Sequence, residues 1–423
     1  MDSIIVNGGN KLYGNIIVSG AKNAALPIMA ASLLTCDKVI LQNVPRLVDI
    51  ETMKELLNNH GTFSRWIGEN KLEICSENIT SKIAPYDIVK KMRASIWVLG
   101  PLLTRFGYAE ISMPGGCAIG ARMVDQHIEV MKALGAKISM QKGYIIAKSE
   151  GRLRGAHFNF AKISVGATIN GILAATLSDG QTMLSNCASE PEIVDLCNML
   201  NKMGAKISGI GTQKLTIEGC KELHGTTHTL IGDRIEAGTY LCAVGLVGGE
   251  ITVSGINYNI IENTVLQLAK TGMSFKVNDD NFSIIAKANT IKSVDMQTEV
   301  YPGFATDLQA QYMTLMTLGN NTSVVAENIF ENRFMHVPEL CRMGANISID
   351  GHTAIIRGVN ELNGAEVMAS DLRASVSLII AGLAAKTQTK VRRVYHLDRG
   401  YENLEKKLQN CGADVHRIHG DSV

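Results

Sequence analysis

Two kinds of helical phrase alternate along this chain. The first is amphipathic and runs into a glycine: ETMKELLNNHGTF, HIEVMKALGAKISM, IVDLCNMLNKMGAKISG, TVLQLAKTGMSFKV, HVPELCRMGANISI and YENLEKKLQNCGADVHRI. A glycine just past a periodic apolar stretch is a helix stop, and the apolar residues beyond it resume as a strand. These glycines are Gly61, Gly135, Gly204, Gly272, Gly344 and Gly412, a repeat with a period of roughly 70 residues. The second phrase stands ahead of each first one and reads GAKNAALPIMAASLL, RASIWVLGPLL, VGATINGILAATL, RIEAGTYLCAVGLV, TDLQAQYMTLMTLG and RASVSLIIAGLAA. Small and apolar residues cover most of its helical circumference, the mark of a helix buried on nearly all sides. Short β-rich runs with turn residues lie between, among them GNIIVSG, KVILQNV, YAEISMPGG, KLTIEGC, EITVSGI, TSVVAENI and TAIIRGV.

The pattern predicts six copies of a two-helix, several-strand unit, with one helix of each in the middle and sheets around it. The competing reading is an ordinary layered α/β protein whose internal likeness is coincidental. At 423 residues the chain is too long for one core, so three copies in each of two domains is the natural partition.

Composition narrows the function. Hydrophobic residues make up 46%, ample for globular burial, and 41 basic against 40 acidic residues leave a net charge of +1. Such a balance supplies no field suited to coating nucleic acid or an anionic membrane, so any bound anion must be met by a local cluster. The opening MDSIIVNGGNKLYG lacks the basic segment and apolar core of a signal peptide. The longest apolar runs, such as SVSLIIAGLAA at 375–385, fall short of the roughly 18 residues that span a bilayer. A soluble, cytoplasmic protein without membrane insertion is expected. Nine scattered cysteines read as reduced thiols, and no CxxC, HExxH or clustered His/Cys/Asp set points to a metal.

Several cations fall where helices should begin: Lys22, Arg93, Arg234 and Arg373 at or near predicted starts, and Lys162 just before another. A helix N-terminus already carries positive partial charge, so a cation there calls for something negative. Captured phosphate or carboxylate would serve, and so would neighbouring acids, as Asp233 beside Arg234 and Asp371 beside Arg373 permit. Arg333 and Arg399 stand in polar stretches ahead of further helices. Asp307 follows a Pro-Gly turn at a helix start, where it is either a plain N-terminal acid or, with a hydroxyl against it, a general base. In PGGCAIGARMVD, residues 114–125, a loop carries Cys117 with Arg122 nearby. Free cysteine is usually a small buried hydrophobe, whereas a loop thiol beside a cation has access to its thiolate.

Taken in order, GAKNAALP, RASIW, PGGCAIGAR, SVGAT, EPEIVD, DRIEAGT, TDLQAQ, ENRFMHVPELCRMGA, DLRAS and YHLDRGYE resemble the motif series of the UDP-N-acetylglucosamine enolpyruvyl transferase family over essentially the whole chain. The resemblance implies a two-domain inside-out α/β barrel of six βαβαββ-type repeats, with buried helices and outer sheets. It implies one domain of residues 22–231 carrying the Cys117 loop and a second of 1–21 with 232–423, the active site lying in a cleft that closes on binding. It implies transfer of the enolpyruvyl group of phosphoenolpyruvate to the 3-hydroxyl of UDP-N-acetylglucosamine by addition and elimination, releasing phosphate, as the first committed step of peptidoglycan synthesis. Metal and organic cofactors are not implied, although Cys117 can carry a phosphoenolpyruvate-derived adduct.

Carried over residue by residue, Cys117 matches the proton donor, Asp307 the base, and Lys22 and Arg399 catalytic cations. Lys22, Asn23, Arg122, Arg333, Arg373 and Arg399 match the phosphoenolpyruvate site. Arg93, Arg122, Met123, Val124, Asp125, Gln126, Lys162, Ile163, Ser164, Val165, Gly166, Asp307 and Ile329 match the nucleotide-sugar site. Glu190 and Asp233 match supporting positions. The chain departs from many relatives at Ala118, Met123, Ala305 and Val48, the last removing a lysine of the family cleft. The sister shikimate 3-phosphate enolpyruvyl transferase is the nearest rival, against which PGGC and SVGAT argue. A non-catalytic nucleotide-sugar binder is the rival of another class.

Overall fold

A computed structural model of the chain describes residues 2–113 and 124–420. The glycine-stopped helices form as Val48–Asn59, Asp125–Ala133, Pro191–Lys202, Glu262–Lys270, Val337–Arg342 and Leu404–Gln409. Their glycines hold φ of +99° at Gly61, +95° at Gly135, +104° at Gly204, +95° at Gly272, +95° at Gly344 and +91° at Gly412. Beyond the glycine the chain turns back on the helix end, with Thr62 N donating to Leu57 O at 3.0 Å and Ala136 N to Met131 O at 3.0 Å. That geometry satisfies carbonyls the helix leaves open and aims the chain into the next strand.

The apolar phrases form the central helices: Lys22–Ala31, Leu99–Phe106 behind a 3-10 turn Arg93–Val98, Val165–Ala175, Arg234–Val247, Gln309–Met316 behind Thr306–Leu308, and Leu372–Ala384. Every residue from Ile235 to Leu246 and from Arg373 to Leu383 is buried.

Strands make six four-stranded sheets with one shared order. In four of them the strand before a central helix lies parallel to the strand after it; in the other two the partners are exchanged between the helices Lys22–Ala31 and Arg234–Val247, and in five of the six a hairpin completes the sheet. Thr227–Thr229, for instance, pairs in parallel with Lys38–Gln42, which pairs antiparallel with Lys71–Cys75, itself antiparallel to Phe63–Gly68. One sheet is completed from the far end of the chain: Ser3–Asn7 lies between Thr389–Arg392 and Asp414–Ile418, antiparallel to both. The structure is therefore α/β, built of βαβαββ repeats with helices inside and sheets outside.

Among the described residues, 20–113 with 124–231 form one compact unit and 2–19 with 232–420 form another. The first, contiguous apart from the undescribed segment, is called the inserted unit below, and the second the split unit. Each has its own hydrophobic core. Among the described residues no helix is long and apolar enough to cross a membrane, and the eight cysteines are free thiols.

Two of the six glycine stops differ in what surrounds them. A Cβ on Gly135 would meet nothing within 4 Å, whereas one on Gly61 would stand 2.5 Å from Asn78 O and 2.8 Å from Thr80 N. Gly135→Ala is expected to lose about 1–2 kcal/mol through backbone strain alone. Gly61→Ala carries the same strain plus a clash with backbone and loses more, so equal losses in denaturant unfolding would refute the distinction.

Candidate active site

In the inserted unit Lys22 opens the first central helix, and its ammonium meets Asp49 at 2.6 Å. Both side chains are largely buried, and Asp49 stands in the first turn of Val48–Asn59, where an acid is favoured. For Lys22, then, the negative partner is a carboxylate of the neighbouring helix. Asn23 is the one residue of Lys22–Ala31 that is not buried.

The residues matched to the nucleotide sugar come from three segments. Arg93 opens a 3-10 turn, half-buried, and Asp125 and Gln126 open the helix that follows buried Val124. Gln126 Oε1 accepts from the Lys162 amide at 3.1 Å, tying two of the segments together. After exposed Lys162 and half-buried Ile163, the Ser164 hydroxyl caps Val165–Ala175 by accepting from Ala167 N at 3.3 Å. Exposed Val165 follows, and then Gly166, whose carbonyl accepts from Trp97 Nε1 at 3.2 Å.

His127 lies beneath this turn, since a Cβ on Gly166 would come within 3.1 Å of its ring. The Asn170 amide donates to Ile96 O at 3.0 Å and to His127 Nδ1 at 2.8 Å, and its oxygen accepts from Gly100 N at 3.2 Å. With both Asn170 hydrogens assigned, Nδ1 is the acceptor and His127 is the neutral, Nε2-protonated tautomer. Burial, together with the charge of Arg93, pushes its pKa down to about 4.

In the split unit Asp307 sits in the 3-10 turn Thr306–Leu308. One carboxylate oxygen meets Arg333 Nη2 at 2.6 Å and the other meets Arg373 Nη2 at 2.7 Å. Burial alone would raise the carboxyl, but the two guanidinium charges and their hydrogen bonds outweigh it and hold it well below the usual carboxylate range. Asp307 is the first-turn acid that its position allows, and the turn itself has no side-chain cap. Arg333 and Arg373 are both about nine-tenths buried.

Arg373 donates a further bond to the Tyr401 hydroxyl at 3.2 Å, and that hydroxyl is fixed by Thr239 at 2.8 Å and by Gln311 at 3.2 Å. Arg333 reaches the Thr306 hydroxyl with its other terminal nitrogen at 2.8 Å. Asp371 does not take the Arg373 side chain; it caps Leu372–Ala384, accepting from Arg373 N at 2.8 Å and Ala374 N at 3.1 Å. Asp233 caps Arg234–Val247 in the same way, with bonds of 2.8 and 3.1 Å from Ile235 N and Glu236 N. Arg399 ends the turn Val394–Arg399, half-buried and just ahead of Tyr401. The Ile329 amide donates to Glu327 at 2.9 Å, and Glu190 precedes the helix Pro191–Lys202. Cys117, Ala118, Arg122 and Met123 lie outside the described residues.

Asp49, Trp97, His127, Asn170, Thr306, Glu327 and Tyr401 are partners that reading by motif passes over. Asn170 alone leaves a signal in its own segment, a lone amide in an otherwise apolar helix.

The family model for EPSP synthase (3-phosphoshikimate 1-carboxyvinyltransferase) matches residues 6–408. The chain belongs to the EPSP synthase family. Within that family, a Rickettsia akari (strain Hartford) protein called UDP-N-acetylglucosamine 1-carboxyvinyltransferase is 58% identical over 422 residues, covering 99% of this chain and 100% of its own. A protein of the same name from Rickettsia bellii (strain OSU 85-389) is 58% identical over 421 residues, with the same coverage. Among solved structures, the enolpyruvyl transferase NikO from Streptomyces tendae superposes with a TM-score of 0.88 at 23% identity, covering 98% of each chain. EPSP synthase from Acinetobacter baumannii superposes with 0.77 at 14% identity, covering 99% of this chain and 100% of its own. At such identities the two structures speak for the fold, which this family member shares with them.

The buried histidines make a prediction. Burial pushes His60, His127 and His336 down to about 4 from 6.5. Between those values the unfolded chain binds more protons, so the stability these groups contribute is present above pH 6.5 and is lost as pH falls toward 4. The loss is about 3 kcal/mol per histidine across the full window. Denaturant unfolding should weaken steadily from pH 7 to 5, with a shallower slope in His127→Gln; a flat wild-type profile would refute it.

Proposed function

We propose that this chain transfers the enolpyruvyl group of phosphoenolpyruvate to the 3-hydroxyl of UDP-N-acetylglucosamine, releasing inorganic phosphate. The observation that carries the reading is full-length identity of 58% to relatives bearing that activity in their name. The clustering of Asp307, Arg333 and Arg373 supports it, because a base and the cations for an anionic substrate are what the chemistry requires. The family model alone would equally suit shikimate 3-phosphate as acceptor. The named relatives and the SVGAT segment around Ser164–Gly166 favour the nucleotide sugar.

In this reading Asp307 takes the proton of the 3-hydroxyl as its oxygen attacks C2 of phosphoenolpyruvate, and Cys117 delivers a proton to C3. The tetrahedral adduct then loses a proton from C3 while the bond from C2 to the phosphate oxygen breaks, so that product and phosphate leave. Lys22, Asn23, Arg122, Arg333, Arg373 and Arg399 hold the carboxylate and phosphate. Arg93, Arg122, the segment Met123–Gln126, the segment Lys162–Gly166 and Ile329 hold the nucleotide sugar. The chemistry is acid–base throughout, so the proposal includes no metal or organic cofactor. Both substrates are small cytosolic metabolites, and the proposed compartment is the cytoplasm.

Phosphate release from the two substrates is the test, and release with shikimate 3-phosphate but not with the nucleotide sugar would sink the reading. Asp307→Ala is expected to lower kcat by about 10²–10⁴, the usual worth of a general base. The phosphoenolpyruvate-mimicking epoxide fosfomycin, which alkylates the loop thiol of this family, should inactivate the wild type and spare Cys117→Asp. Full activity after quantitative alkylation of Cys117 would remove that residue from the mechanism.

A further inference from the structure

Glu327 is a carboxylate that the proposed chemistry does not use. It lies just past the strand Thr322–Ala326 and is 1% exposed. Its Oε1 accepts from the Thr298 hydroxyl at 3.0 Å, the Ile329 amide at 2.9 Å, the Phe330 amide at 3.1 Å and the Thr306 hydroxyl at 3.0 Å. Among the described residues its Oε2 accepts only from the Thr306 hydroxyl, at 2.9 Å. The Thr306 oxygen in turn accepts from Arg333 Nη1 at 2.8 Å, while Nη2 of the same guanidinium holds Asp307.

The two oxygens of Glu327 thus share the Thr306 hydroxyl and otherwise differ in what they meet. Oε1 closes the turn through residues 328–330, a structural task that any carbonyl-type oxygen performs. Oε2 faces a single hydroxyl with a single proton. A carboxylate is acceptor-only, so it draws that proton to itself and leaves the hydroxyl lone pairs for Arg333. In a buried site such an oriented dipole is worth more than in water. Anchored on Thr306, the guanidinium offers Asp307 one nitrogen and not a two-pronged grip.

Resting on the reading of Arg333 as a phosphoenolpyruvate-binding residue, we infer that Glu327 and Thr306 are positioning residues that set the Arg333 guanidinium for that anion. Glu327 fixes the direction of the Thr306 hydroxyl, and the hydroxyl fixes Arg333.

Glu327→Gln separates the two tasks of this carboxylate. The amide oxygen goes to the Oε1 place, where the backbone amides demand an acceptor, and the amide nitrogen faces Thr306. A donor there takes one of the two hydroxyl lone pairs and leaves the hydroxyl proton to the amide oxygen, so this variant weakens the anchor without removing it. Thr306→Val removes the anchor outright at constant shape, and Thr306→Ser keeps it.

Phosphate release and thermal unfolding are to be measured for wild type and these three full-length variants. Thr306→Val should raise KM for phosphoenolpyruvate about tenfold, the worth of one hydrogen bond to a charged group, and Glu327→Gln should raise it by less. Their KM for UDP-N-acetylglucosamine should stay near wild type, and Thr306→Ser should restore the phosphoenolpyruvate KM; Thr306→Val should also melt lower, because it leaves Glu327 Oε2 and Arg333 Nη1 without their partner. An unchanged phosphoenolpyruvate KM in Thr306→Val, no rescue by Thr306→Ser, or equal rises for both substrates would each overturn the positioning role. A wild type that releases no phosphate from the two substrates would overturn the functional reading instead, and the positioning role with it.

Discussion

The central helices have no polar face to give to water, and most of the structure is a consequence of covering them. A helix apolar around nearly its whole circumference must be walled on every side, and a single sheet walls only one. Three helices in each unit, each with its own sheet, solve the problem by sharing one interior. Several of the hydroxyls that remain inside are satisfied locally: Thr239, Thr314 and Ser375 donate to carbonyls one turn back, at 2.8, 2.9 and 2.7 Å. Such bonds let a hydroxyl be buried without a distant partner.

The same constraint decides where chemistry can sit. With their flanks enclosed, the central helices present functional groups at their ends. Lys22, Arg93, Ser164, Asp233, Asp307 and Arg373 all lie at or just before the N-terminus of one. Some of these ends carry an acid or hydroxyl cap, as at Ser164, Asp233 and Asp371, which meets the backbone amides. The cations are then left to side-chain partners. Arg373 illustrates the division: its amide is capped by Asp371 and its guanidinium is spent on Asp307 and Tyr401.

Periodicity made the repeats legible, because the helix stop is a local event and glycine records it in the residue itself. The six φ values near +95° are the physical content of a pattern visible in the letters. Strand pairing leaves no such record: nothing in the residues Ser3–Asn7 says that their neighbours are Thr389–Arg392 and Asp414–Ile418. The site divides the same way. The cations stand out by occupying helix starts where charge is disfavoured, yet their partners cannot be read locally. Asp233 beside Arg234 and Asp371 beside Arg373 look like pairs by adjacency, whereas the carboxylate that Arg373 holds is Asp307. Asp307 itself reads from its position as a plain N-terminal acid or as a base; the structure places it in the first turn, with guanidinium contacts on both carboxylate oxygens.

Those contacts bear on how a carboxylate so placed could act as a base. Two buried cations stabilise its charged form, and a carboxylate held that low is reluctant to take a proton. Its basicity can rise only if that stabilisation is shared with something else. An anion approaching Arg333 and Arg373 would do this, since each positive charge then divides its field between Asp307 and the newcomer. The same cations would serve as the anchor for one substrate and as the restraint on the group that activates the other. Such an arrangement favours an order in which proton removal from the acceptor hydroxyl waits for the anionic donor, which suits a reaction whose first step joins the two. The Thr306 anchor fits this logic, because an arginine held in place from behind yields part of its grip on Asp307 to an incoming anion without leaving the site.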